Sequence, residues 1–162
     1  VAADSPYLIM PLLGEFHRRH PGIELSLSIG NAAEVHHKLL ARRCDIAVLP
    51  SDPFQTFSDP ETSVPDGGQL YREVLREDRI LCVVNLEHSW SRRRNLKFEE
   101  LVDQVLIVRE QGSNTRARFE HAMEEAGVTP PSILEVGSRE AVREAVAAGL
   151  GVGVISESEL GH

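Results

Sequence analysis

Four short segments of this chain pair a glycine or small residue with a short hydrogen-bonding side chain: Asp4-Ser5, Gly30-Asn31, Gly112-Ser113-Asn114-Thr115 and Gly137-Ser138. Each follows a strand-like run and precedes a helical pattern. Such a position points the unpaired N–H groups of a first helical turn, and the positive end of its dipole, at whatever lies beyond the strand. The chemistry this suits is non-covalent capture of a small oxyanion by backbone dipoles and hydroxyls. At any one turn the plainer use of Ser, Thr or Asn is to cap its own helix. One turn therefore says little. Four of the same kind argue for a shared anion site.

Catalytic and metal chemistries fit the residues less well. Serines, histidines and aspartates are present without a G-x-S-x-G elbow. His36 and His37 are neighbours on a helical pattern and so point in different directions, and no second ligand pair has zinc-like spacing. They read as surface histidines. Cys44-Asp45 has no local base. Gly149-Leu150-Gly151-Val152-Gly153 leads from helix to strand, the reverse of the order a phosphate-binding loop needs. No catalytic residue, metal ligand or cofactor is expected, and the chain does not read as an enzyme.

With 162 residues, the chain has room for one domain or two small lobes. Its net charge of −8 argues against a nucleic-acid surface of its own. The dense basic run Arg92-Arg93-Arg94 reads as a solvated loop. Cys44 and Cys82 lie beside or within apolar runs and are expected as buried free thiols in a reducing compartment. No apolar run approaches the length of a membrane span. Val1 to Pro6 lacks the features of a signal peptide and reads like a strand cut at its start. Gly161-His162 also follows a strand-like run, so an excised domain is expected.

The elements that position the four turns follow from periodicity. Pro6 suits a first helical position, and Leu8, Ile9, Leu12, Leu13 and Phe16 give a stripe, with a kink expected at Pro11. Ile23–Ile29 alternates apolar and polar residues as a half-buried strand does. Asn31 and Glu34 form a capping-box pattern, and Val35 and Leu39 place a helix face. Cys44–Pro50 reads as a buried strand and Ser51–Gln69 as a long polar loop. Leu70–Leu75 and Arg79–Asn85 read as strands, the second buried on both faces. A helical turn near Asn95–Leu101 precedes the strand Val105–Val108.

Phe119, Ala122, Met123 and Ala126 then form an apolar stripe that Gly127 stops. Ile133–Val136 is a strand, and Ser138 caps a helix with Ala141, Val142, Ala145 and Val146 on one face. Gly151–Ile155 is the last strand. Strands alternating with helices predict an α/β fold with parallel sheets and right-handed crossovers. The pattern occurs on both sides of Ile80–Asn85, which predicts two lobes joined by a crossing strand. If the lobes face each other, the four turns converge on one cleft.

Leu12 to Ile23 (LLGEFHRRHPGI), Cys44–Val48 (CDIAV), Arg109–Arg116 (REQGSNTR) and Val146–Gly153 (VAAGLGVG) together resemble the effector-binding domain of LysR-type transcriptional regulators. The similarity covers nearly the whole chain, from Ser5 to about Glu159. Ala3–Tyr7 and Gly137–Ala145 are further similar to the LysR-type regulators associated with 2-aminoethylphosphonate catabolism.

The resemblance implies a two-lobed, type 2 periplasmic-binding-protein-like fold, each lobe a Rossmann-like, mostly parallel sheet with flanking helices. It implies a first lobe at 1–79, without its C-terminal closing segment, and a second at 80–162 with the crossing strand at 80–85. It implies a bacterial, cytoplasmic regulator that forms a homodimer or tetramer and reaches DNA through an N-terminal winged helix-turn-helix outside this chain. The effector contacts it implies are Ser5, Asn31, Ser113, Thr115 and Ser138, with Tyr7, Asn114 and Arg139 beside them. For an aminophosphonate, Asp4 is the candidate acceptor of the amine. Arg116 is expected at the surface or between the lobes rather than as the main ligand charge. A transport solute-binding protein for a small anion is the alternative with the same fold.

Overall fold

A computed structural model of the chain describes residues 1–50, 70–129 and 132–160. It divides into two compact units, Val1–Glu77 with His162, and Asp78–Gly161. The expected loop at 51–69 and the Pro130-Pro131 stop lie outside the described residues.

The first unit holds three parallel strands, β1 (Ala2–Ala3), β2 (Ser28–Ile29) and β3 (Ala47–Val48), in the order β2-β1-β3. Helix α1 (Pro6–Arg19) follows β1 and continues through Pro11, and α2 (Ala32–Leu40) follows β2. The strands expected over 23–29 and 44–50 shrink to two residues each. The reason lies in the centre of the sheet: β1 is itself two residues long, so it templates only Ala2↔Ser28, Ala3↔Ile29, Ala2↔Ala47 and Ala3↔Val48. Ala2, Ala3, Ile9 and Val35 are the buried apolar side chains here. The strand expected at 70–75 does not form. Tyr71 is 90% exposed and Val74 72%, and no ladder partner faces this segment among the described residues.

The second unit is a four-stranded sheet in the order β4-β7-β5-β6, with β4 at Ile80–Val83, β5 at Val105–Arg109, β6 at Ser132–Val136 and β7 at Val152–Ser156. β5 is parallel to both β6 and β7, while β4 runs antiparallel to β7. The expectation of a β4 buried on both faces fails, since an edge strand with one neighbour leaves Ile80–Val83 half-buried. Helix α3 (Asn114–Glu125) follows β5, and α4 (Arg139–Ala147) follows β6. A 3₁₀ turn at Phe98–Asp103 matches the helical turn expected nearby, and another at Glu157–Glu159 follows β7.

Strand alternation splits the core of this unit in two. Leu106, Val108, Val152 and Val154 face one side, where Phe119 and Met123 of α3 join Leu101 and Val128. Ile107 and Ile155 face the other, against Val142, Ala145 and Val146 of α4. Of the stripes expected on α3 and α4, Phe119, Met123, Val142, Ala145 and Val146 bury, Ala122 and Ala141 are half-buried, and Ala126 stays exposed at the helix end. Gly127 takes φ +69, a left-handed conformation that costs glycine little, and ends α3 where the stripe stops. Cys44 and Cys82 are free and half-buried rather than fully buried. Burial still pushes the Cys82 thiol up to about 11.

Candidate functional site

In the second unit, the parallel register Arg109↔Val136 brings β5 and β6 to a common carboxyl edge. The chain leaves β5 through Glu110 and Gln111 and turns at Gly112, whose φ of +90 is strained for residues with a Cβ. Ser113 follows as the N-cap of α3 in extended conformation. Its residue surface is only 6% exposed, yet its hydroxyl makes no capping bond to its own helix. Asn114 and Thr115 begin the helix, both half-buried. Beside them, Gly137 leads from β6 to Ser138, the N-cap of α4. Ser138 does cap: its Oγ accepts from the Ala141 N–H at 3.0 Å.

A guanidinium supports the first of these turns from below. Arg116 is 8% exposed, which corrects the expectation of a surface or interlobe residue. Its Nη1 donates to the Arg109 carbonyl at 3.0 Å and to Glu135, and its Nε donates to Glu120 at 2.7 Å. Burial opposes the charge, but the bonds from Glu135 and Glu120 outweigh it and hold the guanidinium above its ordinary range. Arg109 is also buried and pairs with Glu110 through Nε at 2.7 Å and Nη2 at 2.6 Å.

Arg139, the first residue of α4, donates from Nε to Glu159 at 2.8 Å, with side-chain exposures of 11% and 5%. Glu159 lies beyond the carboxyl end of β7, so this pair sits at the same edge of the sheet as Ser113 and Ser138. Burial pushes the Glu159 carboxyl above its ordinary range, and the nearby Arg139 and Arg109 only partly offset it.

In the first unit, Ala3↔Ile29 likewise sets two turns side by side. Gly30 N–H donates to the Ala3 carbonyl at 3.1 Å, and Asp4 N–H donates to the Val48 carbonyl at 3.0 Å. Ser5 is the N-cap of α1, with Pro6 in the first turn. Its Oγ is buried, makes no cap bond and has no hydrogen-bond partner. Asn31 forms the full capping box expected of it: its Oδ1 accepts from the Glu34 N–H at 3.0 Å, and Glu34 Oε2 accepts from the Asn31 N–H at 3.1 Å. Asp4 and Tyr7 are half-buried beside Ser5.

Two of the four turns are thus committed to their helices, through Asn31 and Ser138. The other two present a hydroxyl that does not cap, from Ser5 and Ser113. Sequence reasoning names Arg116 and Arg139 but misses their partners Glu135 and Glu159, which come from elements far apart in the chain. The local signals are Arg109-Glu110 closing an apolar run and Glu120 one helical turn after Arg116. His36 departs from the surface reading: it is half-buried, with Nε2 buried and unpartnered. Among the described residues, no group of three or more His, Cys, Asp or Glu could hold a metal ion, and no helix is long and apolar enough to cross a membrane. A cavity of about 600 Å³ beside the β4 edge is walled by Val83, Leu86, Val146 and Ile155 among others, and none of the expected site residues lines it.

Comparison with known proteins places this arrangement. The sequence profile of the LysR substrate binding domain matches residues 1–162. The chain is 33% identical over 156 residues to the RuBisCO operon transcriptional regulator of Acidithiobacillus ferrooxidans, covering 96% of this chain and 47% of that protein. It is 32% identical over 158 residues to the HTH-type transcriptional regulator CbbR of Xanthobacter flavus, covering 96% and 44%. The chain therefore spans about half the length of the curated relatives it matches. Among solved structures, the regulatory domain of Synechocystis PCC6803 CcmR in complex with 2-PG superposes with a TM-score of 0.78 at 27% identity, over 99% of this chain and 72% of that one.

The effector-binding domain of a BenM variant gives 0.77 at 17% identity, over 97% and 71%, a likeness of fold alone. These neighbours give the fold as the type 2 periplasmic-binding-protein-like class, and the relatives are transcriptional regulators. The alternative of a transport solute-binding protein finds no support among them. With the profile matched from end to end and relatives above 30% identity, the chain belongs to the LysR substrate binding domain family.

Proposed function

We propose that this chain senses a small oxyanion for a bacterial, cytoplasmic LysR-type transcriptional regulator. The observation that carries the reading is the pair of N-cap serines, Ser5 and Ser113, whose hydroxyls do not cap their own helices, that of Ser5 being also buried without a partner. A buried hydroxyl without a partner costs free energy, so a position that keeps one is suited to a ligand that supplies the partner. The lobes are taken as 1–79 and 80–162. Ser5, Asn31, Ser113, Thr115 and Ser138 contact the effector, with Tyr7, Asn114 and Arg139 around it. Ligand binding shifts the lobe arrangement and, in a homodimer or tetramer, repositions an attached DNA-binding domain.

Similarity at 3–7 and 137–145 makes 2-aminoethylphosphonate the specific candidate, its amine received by Asp4. The complex of the related CcmR domain with 2-PG supports an anionic effector of comparable size. Calorimetric titration with 2-aminoethylphosphonate, 2-PG, phosphate, sulfate, benzoate and shikimate tests both levels. Binding of the phosphonate above the others is the expected result. Clear binding of a carboxylate with none of the phosphonate would overturn the specific candidate, and no binding by any anion would overturn the oxyanion reading.

A further inference from the structure

The oxyanion reading leaves one buried charge without a role. Glu159 is 5% exposed, and it is the one carboxylate in the fully buried class among the described residues. It belongs to neither an effector turn nor the core, but it holds Arg139, which stands next to Ser138. The charged groups that bear on it are Arg139 from α4, Arg109 from β5 and Asp78 ahead of β4. Arg109 is in turn paired with Glu110. The guanidinium beside the α4 N-terminus is therefore already balanced by an internal anion.

We propose that Glu159 is a specificity-determining residue of the second-unit turns, giving up its hold on Arg139 and taking a proton when an oxyanion binds beside Ser138. The inference rests on the oxyanion reading above. An entering anion and the Glu159 carboxylate compete for the same guanidinium. A carboxylate left at this depth without its partner neutralises rather than remaining charged. The proton comes from solvent onto a Glu159 oxygen, while the Arg139 guanidinium moves its hydrogen bond to the ligand. Burial already pushes the Glu159 carboxyl upward, in the direction that favours taking the proton. The site then takes up one ligand charge and one proton together, and it discriminates among anions by whether they draw Arg139 away.

Calorimetry with sulfate and benzoate, which stay ionised at neutral pH, measures the uptake directly when repeated in buffers of different ionisation enthalpy. Net proton uptake on binding is expected, with affinity rising by up to about tenfold for each pH unit lowered. Glu159→Gln, checked for folding by circular dichroism, should bind at neutral pH as tightly as the wild type does in acid, without proton uptake. A residue that only braces α4 would not move the proton count. Wild-type binding without uptake, or uptake that persists in E159Q, overturns the proposal. The wild-type buffer series needs no variant and decides the matter even if E159Q fails to fold. Failure of the wild type to bind any anion would instead overturn the oxyanion reading itself.

Discussion

The Nη1 of Arg116 donates to the carbonyl of Arg109 at 3.0 Å, so the first turn of α3 is tied back to the last residue of the strand that delivers it. The same guanidinium reaches Glu135 on β6. One side chain thus fixes the height of α3 over two adjacent strands. Arg116→Met should destabilise the second unit by about 2 kcal/mol. Glu120 and Glu135, with side chains 36% and 52% exposed, can rehydrate, which keeps the loss below that of a fully buried pair. Chemical denaturation checks the value, and an unchanged midpoint would show that the network adds nothing.

The two serines of the second unit should separate cleanly. Ser138→Ala removes the cap bond to Ala141 and should cost about 1 kcal/mol of stability. Ser113→Ala removes no cap bond, so it should leave the melting temperature nearly unchanged while weakening oxyanion binding by about 1 kcal/mol. Melting curves and calorimetry on both variants test the contrast. A stability loss in S113A equal to that in S138A would return Ser113 to a capping role.

Ser5→Ala should stabilise the ligand-free chain slightly, by about 0.5–1 kcal/mol, because it deletes a buried hydroxyl that has no partner. The same change should weaken effector binding. Stability lost without ligand would mean that the hydroxyl has a structural partner after all.

Gly153 lies where β7 meets α4. A Cβ there would stand 2.5 Å from Val146 Cγ2, 3.0 Å from Val83 Cγ2 and 3.2 Å from Val142 Cγ1. Gly153→Ala should therefore cost about 1–3 kcal/mol by overpacking. Gly151→Ala should be worse, since its Cβ would meet the Val105 carbonyl oxygen, a backbone atom, at 2.2 Å. Denaturant midpoints order the two, and the reverse order would mean that the backbone at residue 105 yields more easily than the α4 valines.

Asp78 gives the second unit an acid-sensitive anchor. Burial raises its carboxyl, but bonds from the Ser156 and Ser158 hydroxyls and from the Ser158 and Arg79 N–H groups outweigh it and hold it below 3.8. A folded value below the unfolded one contributes stability above the unfolded value, and that stability is lost as pH falls through the folded value. Glu159, shifted the other way, contributes stability at low pH that is lost as pH rises through its raised value. Asp78→Asn should lower the melting temperature at neutral pH and flatten its fall below about pH 4. An acid limb as steep as the wild type's would assign it to other carboxylates.

The run from β5 to β7 was legible because its signals are local. The α3 and α4 stripes, the Gly127 stop and the short apolar strands each declare themselves within a few residues. The first unit was harder to read. The alternation at 23–27 is as strong as any in the chain, yet a two-residue β1 leaves it nothing to pair with. Tertiary context likewise decided β4, whose apolar residues cannot announce an antiparallel edge. Of the expected site residues, the pattern located the turns but could not tell a capping serine from a non-capping one. Ser138 and Ser113 differ in backbone ψ, 161° against 124°, and that follows from the turn before each helix rather than from the serine.

The antiparallel β4 also bears on how the unit assembles. β5, α3, β6, α4 and β7 follow one another in the chain, and β5 pairs with both β6 and β7, so these contacts close over shorter stretches of chain. β4 must instead find β7, pairing Ile80 with Ser156 from opposite ends of the unit. That closure carries the largest loop entropy and gains its ladder only once β7 is in place. By this argument the edge is expected to dock last. In the native state its amides are expected to exchange with solvent before those of β5, which is paired on both sides.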